Sequence, residues 1–127
     1  MSSDVKKQMF RKFIELYFGL LNIIKKHVGH HKDFMTFYNK NIMLKKTNIK
    51  MFIKTWYESI TKMYYVKIMN ENFEYFMEHG STFLPDKSLQ HYFEEFKTMC
   101  INTEKIILEK AYESIQQMTQ LSYMYYQ

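Results

Sequence analysis

A chain of 127 residues fits one domain, and at 46% hydrophobic and 18% aromatic it is too apolar to be compositionally disordered. Three Gly and one Pro are too few for a turn-rich sandwich or barrel, and the single cysteine, Cys100, excludes an intrachain disulfide. The net charge of +5 leaves an acidic partner open.

Ser3 is the predicted N-cap of the first helix, with Asp4 well placed for the helix dipole. Val5, Met9, Phe13, Leu16, Tyr17, Leu20 and Ile24 make one apolar face to about His27, and Gly29 is suited to end the helix. Asp33 is the next N-cap, opening a shorter helix with Phe34, Phe37, Tyr38, Ile42 and Leu44 on its face, to about Lys45. Thr47 or Asn48 is expected to cap the central helix.

That central helix carries the most regular period of the chain: Ile49, Phe52, Ile53, Trp56, Ile60, Met63 and Tyr64 recur at spacings of three and four. Its Trp56, the only tryptophan, is expected to be largely buried between the first helix and the last. Asn70-Glu71-Asn72 should interrupt the helix, because Asn favours caps over helix interiors. Phe73 to His79 is then a short helix closed by Gly80, and Ser81 to Pro85 is a loop.

Asp86 starts the last helix, on which Leu89, Phe93, Phe96, Cys100, Ile107, Ala111, Met118, Leu121 and Tyr125 share a face with Thr103 and Ser114. A straight helix of that length would reach roughly 60 Å at 1.5 Å per residue. The pattern therefore predicts either a break near Asn102-Thr103 or a projecting end that packs on another subunit. The whole reads as an all-α, single-domain bundle (1–127) of four to five helices with a long C-terminal helix.

Charge divides the chain. Residues 1–54 hold twelve basic against three acidic groups, and residues 55–127 hold six against ten, so the first half is basic and the second acidic. Lys46, Lys50 and Lys54 follow at i, i+4 and i+8, which on one helix would align them to follow a phosphate backbone or another acidic surface. The plainer reading of the same row, and the one the codon bias favours, is the solvated face opposite the Ile49/Phe52/Ile53/Trp56 stripe. With Arg11 as the only arginine, sequence-specific reading of DNA is not indicated. The scarcity of Arg, Ala, Gly and Pro beside abundant Lys, Asn, Ile, Tyr and Phe points to an AT-rich genome, such as a large DNA virus, a protist or an AT-rich bacterium.

Other constellations carry no chemistry by themselves. His27, His30 and His31 cluster around Gly29, but a structural zinc site needs four ligands, and only Asp33 and Cys100 could help. Cys100 lies on the apolar face of its helix, where a thiol behaves as a small hydrophobe. Glu94-Glu95 are adjacent on a helix and diverge. No Gly-rich phosphate loop is present, and no catalytic residue, cofactor, metal site or small-molecule ligand is indicated. The N-terminal stretch lacks the apolar core of a signal peptide. Glu15 and Asn22 interrupt the most apolar run, from Phe13 to Ile24, which is too short to span a bilayer. An intracellular location follows as the expectation.

Large apolar residues outnumber what a small helical domain readily hides. The C-terminal segment, with Tyr123, Tyr125 and Tyr126, is the best candidate for an interface, although it could equally fold back on its own bundle.

The segment from Trp56 to Tyr65, followed by Asn72-Phe73-Glu74-Tyr75-Phe76, resembles short uncharacterised proteins encoded by large DNA viruses of protists. The resemblance rests on aromatic spacing. It implies a viral origin and a virion-associated role, in host cytoplasm or virion, and supplies no catalytic residues. The function expected is that of a small non-catalytic structural or interaction protein, assembling through aromatic helix faces with itself or another protein. The alternative is a non-specific nucleic-acid-binding protein that uses the basic half.

Overall fold

The computed structural model describes residues 2–83, 87–99 and 105–127. They form α1 (Ser3–Val28), α2 (Lys32–Thr47), α3 (Met51–Trp56), α4 (Lys62–Asn70), α5 (Phe73–His79), α6 (Lys87–Met99) and α7 (Lys105–Tyr125). A π-helical turn, Tyr57–Thr61, joins α3 to α4, and a 3-10 turn, Gly80–Phe83, follows α5. The fold is all-α, with no strand among the described residues and a long C-terminal helix of 21 residues. The start expected at Asp86, Pro85 of the expected loop, Cys100 and the break expected near Asn102-Thr103 all lie outside the described residues. The described residues on either side of 100–104 belong to α6 and α7.

Helix ends follow local chemistry, with small shifts from expectation. The N-cap of α1 is Ser2 rather than Ser3: its hydroxyl accepts from the Val5 N–H at 3.3 Å. α2 begins at Lys32 with Asp33 in its first turn, where the carboxylate still meets the positive end of the dipole. Thr47 and Asn48 close α2 instead of capping the central helix, the Asn48 N–H bonding to the Leu44 carbonyl at 2.7 Å. Asn72 does cap α5, its side chain accepting from the Tyr75 N–H at 2.9 Å. Gly80 ends α5 where Phe76 and Phe93 close in: a Cβ there would stand 2.8 Å from the Phe76 ring.

The main core joins α1, α3 and α7. Phe13, Ile14, Phe18, Leu21, Phe52, Ile53 and Met118 are buried together, with Phe18 and Phe52 packed edge to face at 5.2 Å. The buried face of α1 is turned from the one expected: Ile14, Phe18 and Leu21 go inside beside Met9 and Phe13, and Val5 is exposed. Both faces obey the three-four period, and the partner, α7, decides between them. A second cluster, Ile60, Ile68, Phe76 and Tyr112, joins the central rod, the run of α3, π turn and α4 from Met51 to Asn70, to α5 and α7.

The central stripe holds as far as Ile60; beyond it Tyr64 still packs, half-buried, on the second cluster, but Met63 departs. The π turn, in which the Lys62 N–H bonds back five residues to the Tyr57 carbonyl, inserts one extra residue into the winding. The buried line therefore continues through Thr61 and Ile68, and Met63 is left 67% exposed. Trp56 does lie between α1 and α7, meeting Phe13 edge to face at 6.1 Å, but it is half-buried and not fully enclosed.

Polar groups clasp the rod to α7. The Trp56 Nε1–H donates to Thr119 Oγ1 at 3.1 Å. The Thr61 and Ser122 hydroxyls bond at 2.6 Å with both residues almost fully buried. Where α4 ends, the Tyr112 hydroxyl lies within hydrogen-bond reach of the Ile68 (2.9 Å) and Glu71 (2.6 Å) carbonyls, and Gln116 Nε2 donates to Ile68 at 3.0 Å. Helix ends leave carbonyls without intrahelical partners; here α7 supplies the donors. Desolvation raises the Tyr112 pKa, which keeps the phenol protonated as a donor.

Candidate functional site

Three features present chemistry to solvent or to a ligand: an aromatic strip, a basic corner and an apolar cavity. The strip is built on the clasp just described. With Thr119 and Ser122 turned inward, Tyr123 and Tyr126 fall on the outer flank of α7. Tyr123 stacks on Tyr65 with centroids 4.2 Å apart, and Tyr126 lies 4.6 Å from Tyr57. Tyr125 instead turns toward α1, 6.4 Å from Phe10 and beneath the Lys6 ammonium.

The C-terminal end is therefore docked along its own bundle and does not project. Nor is it uncapped, since Gln127 Nε2 donates to the Tyr123 carbonyl at 3.0 Å. The rings nonetheless keep one side in water, Tyr123 at 38% and Tyr126 at 39% exposed, beside an exposed Met124. Met63 and Val66, on the same helix as Tyr65, are still more open.

The lysine row is bent. Lys46 sits in the last turn of α2, Lys50 at the N-cap position of α3 and Lys54 within α3. They do not share the face of one helix, because Asn48 (φ −154°, ψ 69°) ends α2 between them. All three are exposed, and none pairs with a described carboxylate. Lys46 suits the negative end of α2, whereas Lys50 faces the positive end of the rod, so the corner concentrates positive potential.

The cavity, of about 450 Å³, runs between α1, α2 and the central rod toward α5, α6 and α7. Its wall is almost wholly apolar: Leu20, Leu21, Phe34, Phe52, Trp56 and Leu108 are representative. Tyr17, Asn41 and Lys97 in its wall are already engaged. The Tyr17 hydroxyl donates to Asn41 Oδ1 at 2.6 Å, and Asn41 Nδ2 donates to the Phe37 carbonyl at 2.8 Å. Burial drives the Tyr17 pKa well above that of an ordinary phenol, so the hydroxyl is a fixed donor. Lys97 Nζ donates to the Met77 carbonyl and lies 3.6 Å from Glu94. Lys40, exposed at the rim, pairs with no described carboxylate. The cavity is partly open to solvent and not a sealed void. Water gains few hydrogen bonds from such walls.

Around Gly29 the His30 and His31 rings stand 4.3 Å apart. Among the described residues no group of three or more His, Cys, Asp or Glu is arranged to hold a metal ion, and no helix is long and apolar enough to cross a membrane. Sequence reasoning missed Thr61, Tyr112, Thr119 and Ser122 as the clasp, and missed the cavity altogether. The only sequence trace of the clasp is a set of small hydroxyl residues on an otherwise apolar face. No protein-family model, no curated protein and no solved structure matches the chain.

Proposed function

We propose that the chain is a small non-catalytic interaction protein that assembles with further copies of itself through the tyrosine- and methionine-rich strip of α4 and the end of α7. The observation that carries this reading is the half-exposure of Tyr123 and Tyr126 on rings they already stack against. Their ordering entropy is spent within the monomer, so the outer faces meet a partner at little further cost. Exposed Met63, Val66 and Met124 extend the apolar surface to a kind that monomers seldom leave in water. The opposed charges of the two halves favour the basic part of one copy meeting the acidic part of another, a heterologous contact that closes rings or extends arrays. The resemblance over the Trp56–Phe76 segment supports a viral, virion-associated setting for such assembly.

Light scattering after size exclusion tests this. The wild-type chain should run above monomer mass, and Tyr123→Ser with Tyr126→Ser should return it to monomer with an unchanged helical spectrum. A truncation from Ser122 onward would confuse the result, because Ser122 is buried against Thr61. If the wild-type chain is monomeric at high concentration in both low and high salt, self-association is wrong.

A second reading has its own observation: Lys46, Lys50 and Lys54 are exposed without described acidic partners. Non-specific duplex binding through them should be steeply salt-dependent, and Gln at all three positions should flatten the log–log salt slope by about 0.9 per lost phosphate contact. An unchanged slope assigns the three side chains to solvent.

A further inference from the structure

We propose that the bundle cavity is a binding site for a single-chain aliphatic carboxylate, with the hydrocarbon held among α1, the rod and α7 and the carboxylate at Lys40. The site is independent of the assembly strip. Its volume, about 450 Å³, falls within the range of small-molecule pockets. The wall offers Leu, Ile and Phe side chains from six helices, which suits a flexible chain better than a rigid polar ligand. Tyr17 and Asn41 satisfy one another, so neither asks for a complementary atom along the shaft. The polarity of the ligand must therefore lie at the mouth.

Two ammonium groups line the cavity. Lys97 is already engaged by the Met77 carbonyl and Glu94, whereas Lys40 is exposed and has no described acidic partner. Lys40 is thus the group available to a carboxylate. Exposed Thr55 and half-buried Ser59 also line the cavity, which opens to solvent on that side of the rod.

Trp56 stands in the cavity wall and, as the only tryptophan, reports on it without labelling. The wild-type full chain should show saturable quenching of Trp56 by 12-bromododecanoate below its micellar concentration, reversed by unbrominated dodecanoate. Dodecanoate should also raise the melting temperature. Ser59→Phe, which narrows the shaft from its accessible side, should weaken both effects at least tenfold; Thr55→Phe serves as a second blocking variant if the first misfolds. Lys40→Glu should weaken dodecanoate about tenfold and leave 1-dodecanol unchanged. Quenching that does not saturate, or that persists undiminished in both blocking variants, overturns the site. Equal affinity for dodecanoate and 1-dodecanol, with no response to Lys40→Glu, overturns the carboxylate assignment.

Discussion

Phe13→Ala should destabilise the fold by about 3–5 kcal/mol, the usual cost of emptying a large aromatic site in a core. Phe13 has no exposed surface and sits where α1, the rod and α7 converge. It meets Trp56 edge to face at 6.1 Å and lies nearly parallel to Tyr17 at 6.4 Å. Its loss would remove transfer energy, two aromatic contacts and the wall that holds Trp56 against Thr119. Domains of this size have about 5–15 kcal/mol in total, so the variant should be partly unfolded near body temperature. Urea denaturation followed by circular dichroism would measure the change. A loss under 1 kcal/mol would mean that α1 is not packed through this face.

Tyr112 should show two separable losses. Tyr112→Ala removes a ring stacked on Phe76 at 4.5 Å and 26°, and should cost about as much as the Phe13 change. Tyr112→Phe keeps the ring and deletes only the hydroxyl, leaving the Glu71 carbonyl without that donor; the cost should be about 1–3 kcal/mol. Gln116 still serves the Ile68 carbonyl, which should keep the second loss at the lower end. Thermal unfolding of both variants decides. Equal stability of Tyr112→Phe and wild type would show that water replaces the hydroxyl and that the end of α4 is wetter than its geometry implies.

What was legible in the sequence follows from the range of the forces involved. The Asn72 cap, the Phe73–His79 helix and the stop at Gly80 are decided within a few residues, and the chain displays them directly. The stripe from Phe52 to Ile60 is legible for the same reason. The continuation beyond Ile60 was not, because a π turn adds a residue without altering composition, and Met63 and Tyr64 satisfy the three-four period as well as Thr61 and Ile68 do. Thr61 and Ser122 look like blemishes on apolar faces until each is set against a partner 61 positions away. The lysine row was drawn across a helix boundary that Thr47 and Asn48 already marked: the i, i+4, i+8 spacing gives one face only if a single helix runs through Asn48. The cavity could not be read at all: it is the space left by helices that do not quite meet, a property of their arrangement and of no single segment. The half-exposed Tyr123 and Tyr126 lie between these cases: the sequence left a docked end and an interface even, and the stacking on Tyr65 and Tyr57 decides for docking.

The pairing of α1 with α7, the most extensive between any two helices described, also sets the order in which the molecule can form. Of these two helices, α1 leaves the ribosome before α7. At roughly 5–20 residues per second, several seconds pass between the emergence of Phe13 and that of Met118. Through that interval the apolar face of α1 has no partner of its own. The nascent chain should therefore be a client of ribosome-associated chaperones, held by them until α7 arrives, and the α1 core should form in one late step instead of helix by helix.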